Sequence, residues 1–433
     1  MRFCAKTLVA VAVAAASSVG YGADLLTVYQ QALLSDPGLK ANQATSQVAS
    51  ANVGVAVGSI LPTALLTGGT EVASTNQQGY NSSYVQAQFT QPIFDVPAWS
   101  NVGVANQSAN AANATYQSQL QQFILTVTSD YFTICQDQDN VALDQANVAF
   151  LKETLDQTQR QFNVGVSTIT DVKQAEAQYD TAEATLIQDQ NALAISHQNL
   201  ETLTGKPYPD LSALSENYPF VAPKPADINY WVQQAIGHNW GLQAAHYNTA
   251  SQYRNVLLKV GGQLPLVSFQ ATHYVNHNSA AAPAGETANN VRDTTVALTM
   301  TWNLFQGGGL AESTLQASDQ YEAQEAVQDG TYRNLVSQTR QDYLAVMEQV
   351  SLVQAYQQSV IAGEASLKQY EAEYKVGTQT IVQVLNAVTT LYQAKQSLVE
   401  ARYAYINAWL QLKLDAGQLS IDDVKDLNHY LAN

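Results

Sequence analysis

A long internal duplication constrains this chain more than any other feature. Phe162-Asn163-Val164-Gly165, with Thr170-Asp171-Val172 a little further on, returns as Tyr374-Lys375-Val376-Gly377 with Val382-Gln383-Val384. The spacing is unchanged through to Thr204-Gly205 and Ala416-Gly417, and Asp130-Tyr131 answers Asp342-Tyr343 at the same offset. Upstream, Leu61-Pro62 returns as Leu264-Pro265 and Ile93-Phe94 as Leu304-Phe305, with a modest insertion between the two pairs. Solenoid units repeat every 20 to 50 residues or so, so a repeat this long is a duplicated half-molecule. The 433 residues therefore predict one body of two similar halves, 23–205 and 228–417, joined by 206–227 and followed by a tail, 418–433.

Each half reads in the same order. Residues 24–59 carry Leu25, Val28, Tyr29, Ala32 and Leu33 on one helical face, with Asp24 placed as the N-cap and Pro62 past the end. A hairpin follows over 63–94, with a polar loop at Gly79-Tyr80-Asn81; Val85, Ala87 and Phe89 alternate with Gln86, Gln88 and Thr90. The second hairpin, 265–305, has sharper contrast, because Val296, Leu298, Met300, Trp302 and Leu304 alternate with Thr295, Ala297, Thr299, Thr301 and Asn303. Its loop, 277–291, is rich in Asn, Ala and Gly. Next come two stretches without proline, 98–162 and 310–374, each of which predicts a rod of roughly 100 Å. A helix of that length needs an equally long partner. The helix before each hairpin and the shorter one after each rod, 170–203 or 380–414, supply it end to end. The segment 205–227 holds Pro207, Pro209, Pro219, Pro223 and Pro225 and predicts a non-helical strap, with a short helix over 421–430 beside it.

The N-terminus predicts export. Arg2 and Lys6 flank an apolar run from Thr7 to Ala16, followed by Gly20 and Gly22, the pattern of a cleaved signal over 1–22. That run is shorter than the roughly 20 apolar residues of a membrane-spanning helix. Cys4 falls inside the signal, so Cys135 stands alone and reads as a small buried apolar residue. The formal charge is −17, which argues against nucleic acid as a partner. Yet only 13% of residues are charged, and Gln, Asn, Ser and Thr take over much of the polar surface. Uncharged polar faces suit a surface that lines a water-filled passage, and equally long helices that pack loosely against neighbours.

Strands with one apolar and one polar face, and no second sheet to cover them, need lipid or a partner. Four strands enclose nothing, since the smallest membrane barrels use about eight and an open edge is not tolerated in hydrocarbon. Three copies supply twelve strands, so closure predicts a homotrimer around one pore. Phe94, Trp99, Trp302 and Phe305 fall where each second strand leaves for its rod, as aromatics of a membrane interface do; the alternative is that they cap a soluble core.

These motifs together resemble an outer-membrane channel of the TolC family, the exit duct of efflux pumps and type I secretion systems. The resemblance implies a mainly α fold with a small β part: a trimeric twelve-stranded transmembrane β-barrel continuing into a twelve-helix α-barrel tunnel across the periplasm. It also implies an equatorial belt from 205–227 and the tail, and a passive role opened by a periplasmic adaptor (a membrane fusion protein) and an inner-membrane transporter of RND or ABC type. Matching motifs puts Thr170, Asp171 and Tyr374 at the latch that shuts the periplasmic end. Here the sequence departs from the family. The latch arginine falls on Gln379, and the two carboxylates that ring the constriction fall on Gln383 and Asn386. The expectation is a gate held by hydrogen bonds among Asp171, Tyr374, Gln379, Gln383 and Asn386 that resists blockage by multivalent cations, since amides lack the pull of a carboxylate ring. Val164-Gly165 and Val376-Gly377 become the tip turns on which the adaptor docks.

Signals for chemistry are weak. Gly307-Gly308-Gly309 sits where a phosphate loop sits, but no Lys follows and the first half has Asp95-Val96-Pro97 there, so it reads as a bend. His273 and His277 do not share a helix face, which disfavours a metal site. No catalytic set, cofactor or metal is expected. The competing reading is a periplasmic or surface coiled-coil scaffold, which leaves the apolar faces of the hairpins without a purpose.

Overall fold

The computed structural model describes residues 22–74, 79–278 and 291–431. All of the expected signal except Gly22, and most of the second hairpin's loop, lie outside them.

The first half opens with α1 (Leu25–Ser35) and α2 (Pro37–Gly58), then β1 (Thr63–Ser74) and β2 (Gly79–Phe94), the rod α3 (Val96–Asn163) and α4 (Ile169–Thr204). The second half runs α5 (Ile228–His238), α6 (Trp240–Gly261), β3 (Leu266–Asn278), β4 (Val291–Thr301), the rod α7 (Gly309–Lys375) and α8 (Ile381–Asp415), and α9 (Ile421–His429) ends the chain. The rods hold 68 and 67 residues, or about 100 Å each. In its early part α3 meets α6, where the Ser108 and Ser251 hydroxyls lie 3.0 Å apart. Later it packs on α4 and α8.

Several boundaries differ from the sequence expectation. The helix expected over 24–59 is two helices. Asp24 caps the first, accepting from Thr27 N at 3.0 Å. Asp36 ends it in extended backbone and caps the next by accepting from Leu39 N at 2.5 Å, with Pro37 as first residue. Proline fits only the first turn of a helix, and its preceding residue is driven out of the helical region, so the break follows. Leu33 lies at the edge of the buried face and is exposed, unlike Leu25, Val28, Tyr29 and Ala32. Gly79 to Asn81 belong to β2, paired with 72–74, and not to the loop. The last strand stops at Thr301, opposite Leu266, so Trp302, Asn303, Leu304 and Phe305 lie outside it. The residue that would face Trp302 is Pro265, which has no N–H to give to a ladder.

The strands form one antiparallel sheet in the order β1-β2-β3-β4. Pairing keeps like faces together: Ala64, Leu66, Val85, Ala87, Phe89 and Ala271 share one face, and Thr67, Gln86, Gln88, Thr90 and Tyr274 the other. A register shift between Pro92 and Phe94 ends the β2–β3 ladder next to the helices.

Two apolar clusters hold the rods. The larger lies at mid-height, where Val28, Tyr131, Phe132, Ile406, Leu410 and Val424 are fully or almost fully buried. Tyr131 donates to the carbonyls of Ala23 (3.0 Å) and Ser212 (2.8 Å), tying rod, N-terminus and strap together. The 205–227 segment has no helix, and Ser215 N donates to Tyr430 O at 2.9 Å, so strap and tail lie side by side. Cys135 is buried here as expected, and burial pushes its thiol up. The smaller cluster, including Leu151, Ala175, Ala182, Val384 and Val388, holds the helices toward the tips.

Candidate functional site

Two regions carry the residues that the sequence singles out: the helix tips and the sheet. At the first tip α3 ends at Asn163, and the chain turns through Val164 and Gly165, the latter at φ +78°. Val166 N donates to Gln161 O at 2.9 Å. Thr168 then caps α4 with a reciprocal box, its hydroxyl accepting from Asp171 N (3.2 Å) while the Asp171 carboxylate accepts from Thr168 N (3.0 Å). The second tip repeats the path through Val376 and Gly377, again at φ +78°, with Thr378 N donating to Glu373 O at 3.0 Å. Here Thr380 caps α8 without a side-chain bond, and the Gln383 N–H donates instead to the Thr380 carbonyl at 3.1 Å. Val164, Val166 and Val376 are each about three-quarters exposed, so both tips present bare aliphatic side chains.

The expected latch residues are distributed differently. Asp171 spends its hydrogen bonds on Thr168 and Ser167 within its own tip. The Thr168 N–H above all, with the two hydroxyls, holds its carboxyl below the usual value. Tyr374 donates to Gln161 Oε1 at 2.5 Å, joining the last turns of α7 and α3. Burial raises the Tyr374 phenol, and the nearby Asp171 charge adds to that. Within the chain Asp171 and Tyr374 are therefore neighbours but not bonded, and sequence reading missed Gln161. Gln383 and Asn386 are exposed one turn apart on α8, opposite the buried Val384, Leu385 and Val388. Among the described residues no side-chain bond joins Thr170, Gln379, Gln383 or Asn386 to another side chain.

In the sheet, the apolar face is open: Leu298 is 70% and Met300 64% exposed. Where the sheet meets the helices, the rings of Phe94 and Trp99 pack edge to face at 5.7 Å. Trp302 Nε1 donates to Gln263 O at 3.0 Å. Phe305 is among the most exposed side chains, at 85%. All four expected interface aromatics thus gather at one end of the sheet, although Trp302 and Phe305 do so from beyond the strand. No helix among the described residues is long and apolar enough to cross a membrane. Among them no three His, Cys, Asp or Glu side chains group as a metal site, and His273 Nδ1 lies 2.8 Å from the Thr294 hydroxyl. Gly307 and Gly308 adopt positive φ (+60° and +81°), making the bend ahead of α7.

Comparison with known proteins agrees with this geometry. The family model described as "Outer membrane efflux protein" matches residues 28–206 and again 231–418. Outer membrane protein TolC of Escherichia coli (strain K12) is 32% identical over 446 residues, covering 100% of this chain and 90% of that protein. The proteases secretion protein PrtF of Dickeya chrysanthemi is 23% identical, over 93% of this chain and 90% of its own length. Among solved structures, the outer membrane protein VceC of Vibrio cholerae superposes with a TM-score of 0.80 at 17% identity, covering 91% of this chain and 96% of that one. The match across both halves, together with a relative about one-third identical along the whole chain, means that this chain belongs to the outer membrane efflux protein family.

Proposed function

We propose that three copies of this outer-membrane exit duct close one passive conduit, a twelve-stranded barrel in lipid continuing into a twelve-helix tunnel in the periplasm. The observation that carries this is the sheet: four strands in sequence order, two edges without a partner strand among the described residues, and an apolar face open along its length. An edge in hydrocarbon is untenable, and β4 of one copy beside β1 of the next removes it. Each chain is then a duplication of 23–205 in 228–417, with 206–227 and 418–433 as a belt at the equator and 1–22 as a removed signal. The protein performs no catalysis and needs no cofactor or metal. Energy and selection come from partners, an inner-membrane transporter of RND or ABC type and a periplasmic adaptor that docks on Val164-Gly165 and Val376-Gly377. The relative named for protease secretion supports a secretion role beside efflux.

At the entrance Tyr374 holds the two rods of one protomer together through Gln161. Thr170, Asp171, Gln379, Gln383 and Asn386 face the neighbouring protomers and the constriction. With amides in place of a carboxylate ring, a trivalent cation added on the periplasmic side leaves conductance unchanged in planar bilayers. The variant Gln383→Asp with Asn386→Asp acquires block, because a three-fold carboxylate ring attracts such an ion strongly at close range. Tight block of the unaltered channel would refute the gate. A chain that fractionates as water-soluble would refute the conduit.

A further inference from the structure

The ionisable residues of the sheet are sorted by face. Glu71 pairs with Ser82 and Asp293 with Tyr274, on the polar face. Arg292 pairs with Val275 and His273 with Ala87 and Thr294, on the apolar face, and His277 lies two positions beyond Val275 on that same face. Tyrosines aside, among the described strand residues every acid points to the polar side and every base to the apolar side. A pore that only needed wetting gives no reason to put the bases outside.

Below His273 the apolar face is hollowed. A groove of about 400 Å³ runs across the sheet, walled by Leu66, Ala87, Phe89 and Ala271 and ended by His273 and Thr294. Arg292 lies one cross-strand step further toward the hairpin tips. It faces Val275, nine residues along β3 from its start at Leu266. That is about 31 Å of strand, or about 22 Å of height at a 45° tilt, near the top of an apolar band about 25 Å tall. The helices leave from the opposite end of the sheet. On the reading proposed above, the groove therefore lies in the outer half of the bilayer and Arg292 at its outer margin.

We propose that this face binds a phosphorylated lipid of the outer leaflet, with an acyl chain in the groove and a phosphate on Arg292 and His273. Guanidinium matches phosphate geometry with two parallel N–H donors. With Nδ1 engaged by Thr294, His273 has Nε2 for the same anion. Charge complementarity selects the occupant, since a zwitterionic lipid fills the groove but brings a phosphate already balanced by its own headgroup cation, whereas a phosphorylated lipid with net negative charge leaves its anion for Arg292.

The inference rests on the barrel reading, and the test separates the two. The purified protein is placed in phosphatidylcholine nanodiscs doped with bisphosphorylated lipid A or with the same lipid dephosphorylated, and retained lipid is read by native mass spectrometry. The intact protein retains the phosphorylated form about tenfold better, the worth of one charge-assisted hydrogen bond. Arg292→Gln with His273→Gln loses that preference, whereas Glu71→Gln with Asp293→Asn, on the other face, keeps it. Millimolar inorganic phosphate does not compete. Equal retention of both lipids by the intact protein, full preference in the Arg292/His273 variant, or competition by free phosphate each overturns the proposal. A conducting trimer without lipid preference overturns it alone; a soluble monomer overturns the barrel as well.

Discussion

At the residue scale, two side-chain pairs lie between the long helices and behave oppositely. Tyr374 donates to Gln161 at the tip, partly exposed and 213 residues away in sequence, with the Thr158 hydroxyl also beside the phenol. Losing one such bond costs about 1 kcal/mol, enough to raise a minor open population by about fivefold. Tyr374→Phe and Gln161→Ala should each raise open probability in planar bilayers by that factor, and the double variant should add nothing further. The second pair is Asp342 with Asp415, buried between α7 and α8. Each takes an amide from the glutamine four residues before it, Gln338 at 2.9 Å and Gln411 at 3.3 Å, and each leaves Oδ2 buried without a partner. Burial, and then the facing Asp342, push the Asp415 carboxyl up to about 8 from 3.8. The sign is a penalty. Below the ordinary carboxylate value both folded and unfolded chains hold the proton; from there to about 8 only the folded chain keeps it, so stability falls with rising pH and then levels. Asp415→Asn offers an amide to the Asp342 oxygen. It should raise stability at pH 8 by about 1 to 2 kcal/mol and flatten the fall of melting temperature between pH 4 and 8; an unchanged slope would contradict this. The tip positions were legible because the sequence writes them twice. Gln161 and the Asp342–Asp415 pair were not, because neither has a local signature and each exists only once two distant helices are in contact.

Elements were legible where one residue fixes a backbone state and blurred where two segments must meet. Both rods fall within two residues of the expected bounds, since nothing in them interrupts a helix. The Asp36-Pro37 break was also written in the chain but masked by an apolar face that continues across it to Leu39. The early end of β4 depends on Pro265 in the facing segment, and no reading of 291–305 by itself reveals it. Glycines that look alike in sequence separate at this scale. Gly165 has positive φ with open space around it, so Gly165→Ala should cost about 1 kcal/mol of backbone strain, seen as faster hydrogen exchange at the tip alone. Gly417 also has positive φ, but a Cβ there would run into the His238 carbonyl and lie 2.9 Å from Asn239 N. Gly417→Ala should therefore cost about 2 kcal/mol or more and lower the melting temperature of the whole protein.

The whole molecule joins a sheet too small to enclose anything to rods too long to stand alone. The rods find partners within the chain, because α2 with α4 and α6 with α8 run their length. The sheet does not. Its two edges have no partner strand among the described residues and its apolar face is open; the proposed neighbouring copies would pair those edges, and the proposed anionic lipid would meet its outward bases. The most direct measurement is native mass spectrometry of the protein extracted from outer membranes, with single-channel recording of the same sample. The account predicts three chains per particle and one conducting pore per particle. A single water-soluble chain whose strands cover one another would contradict it.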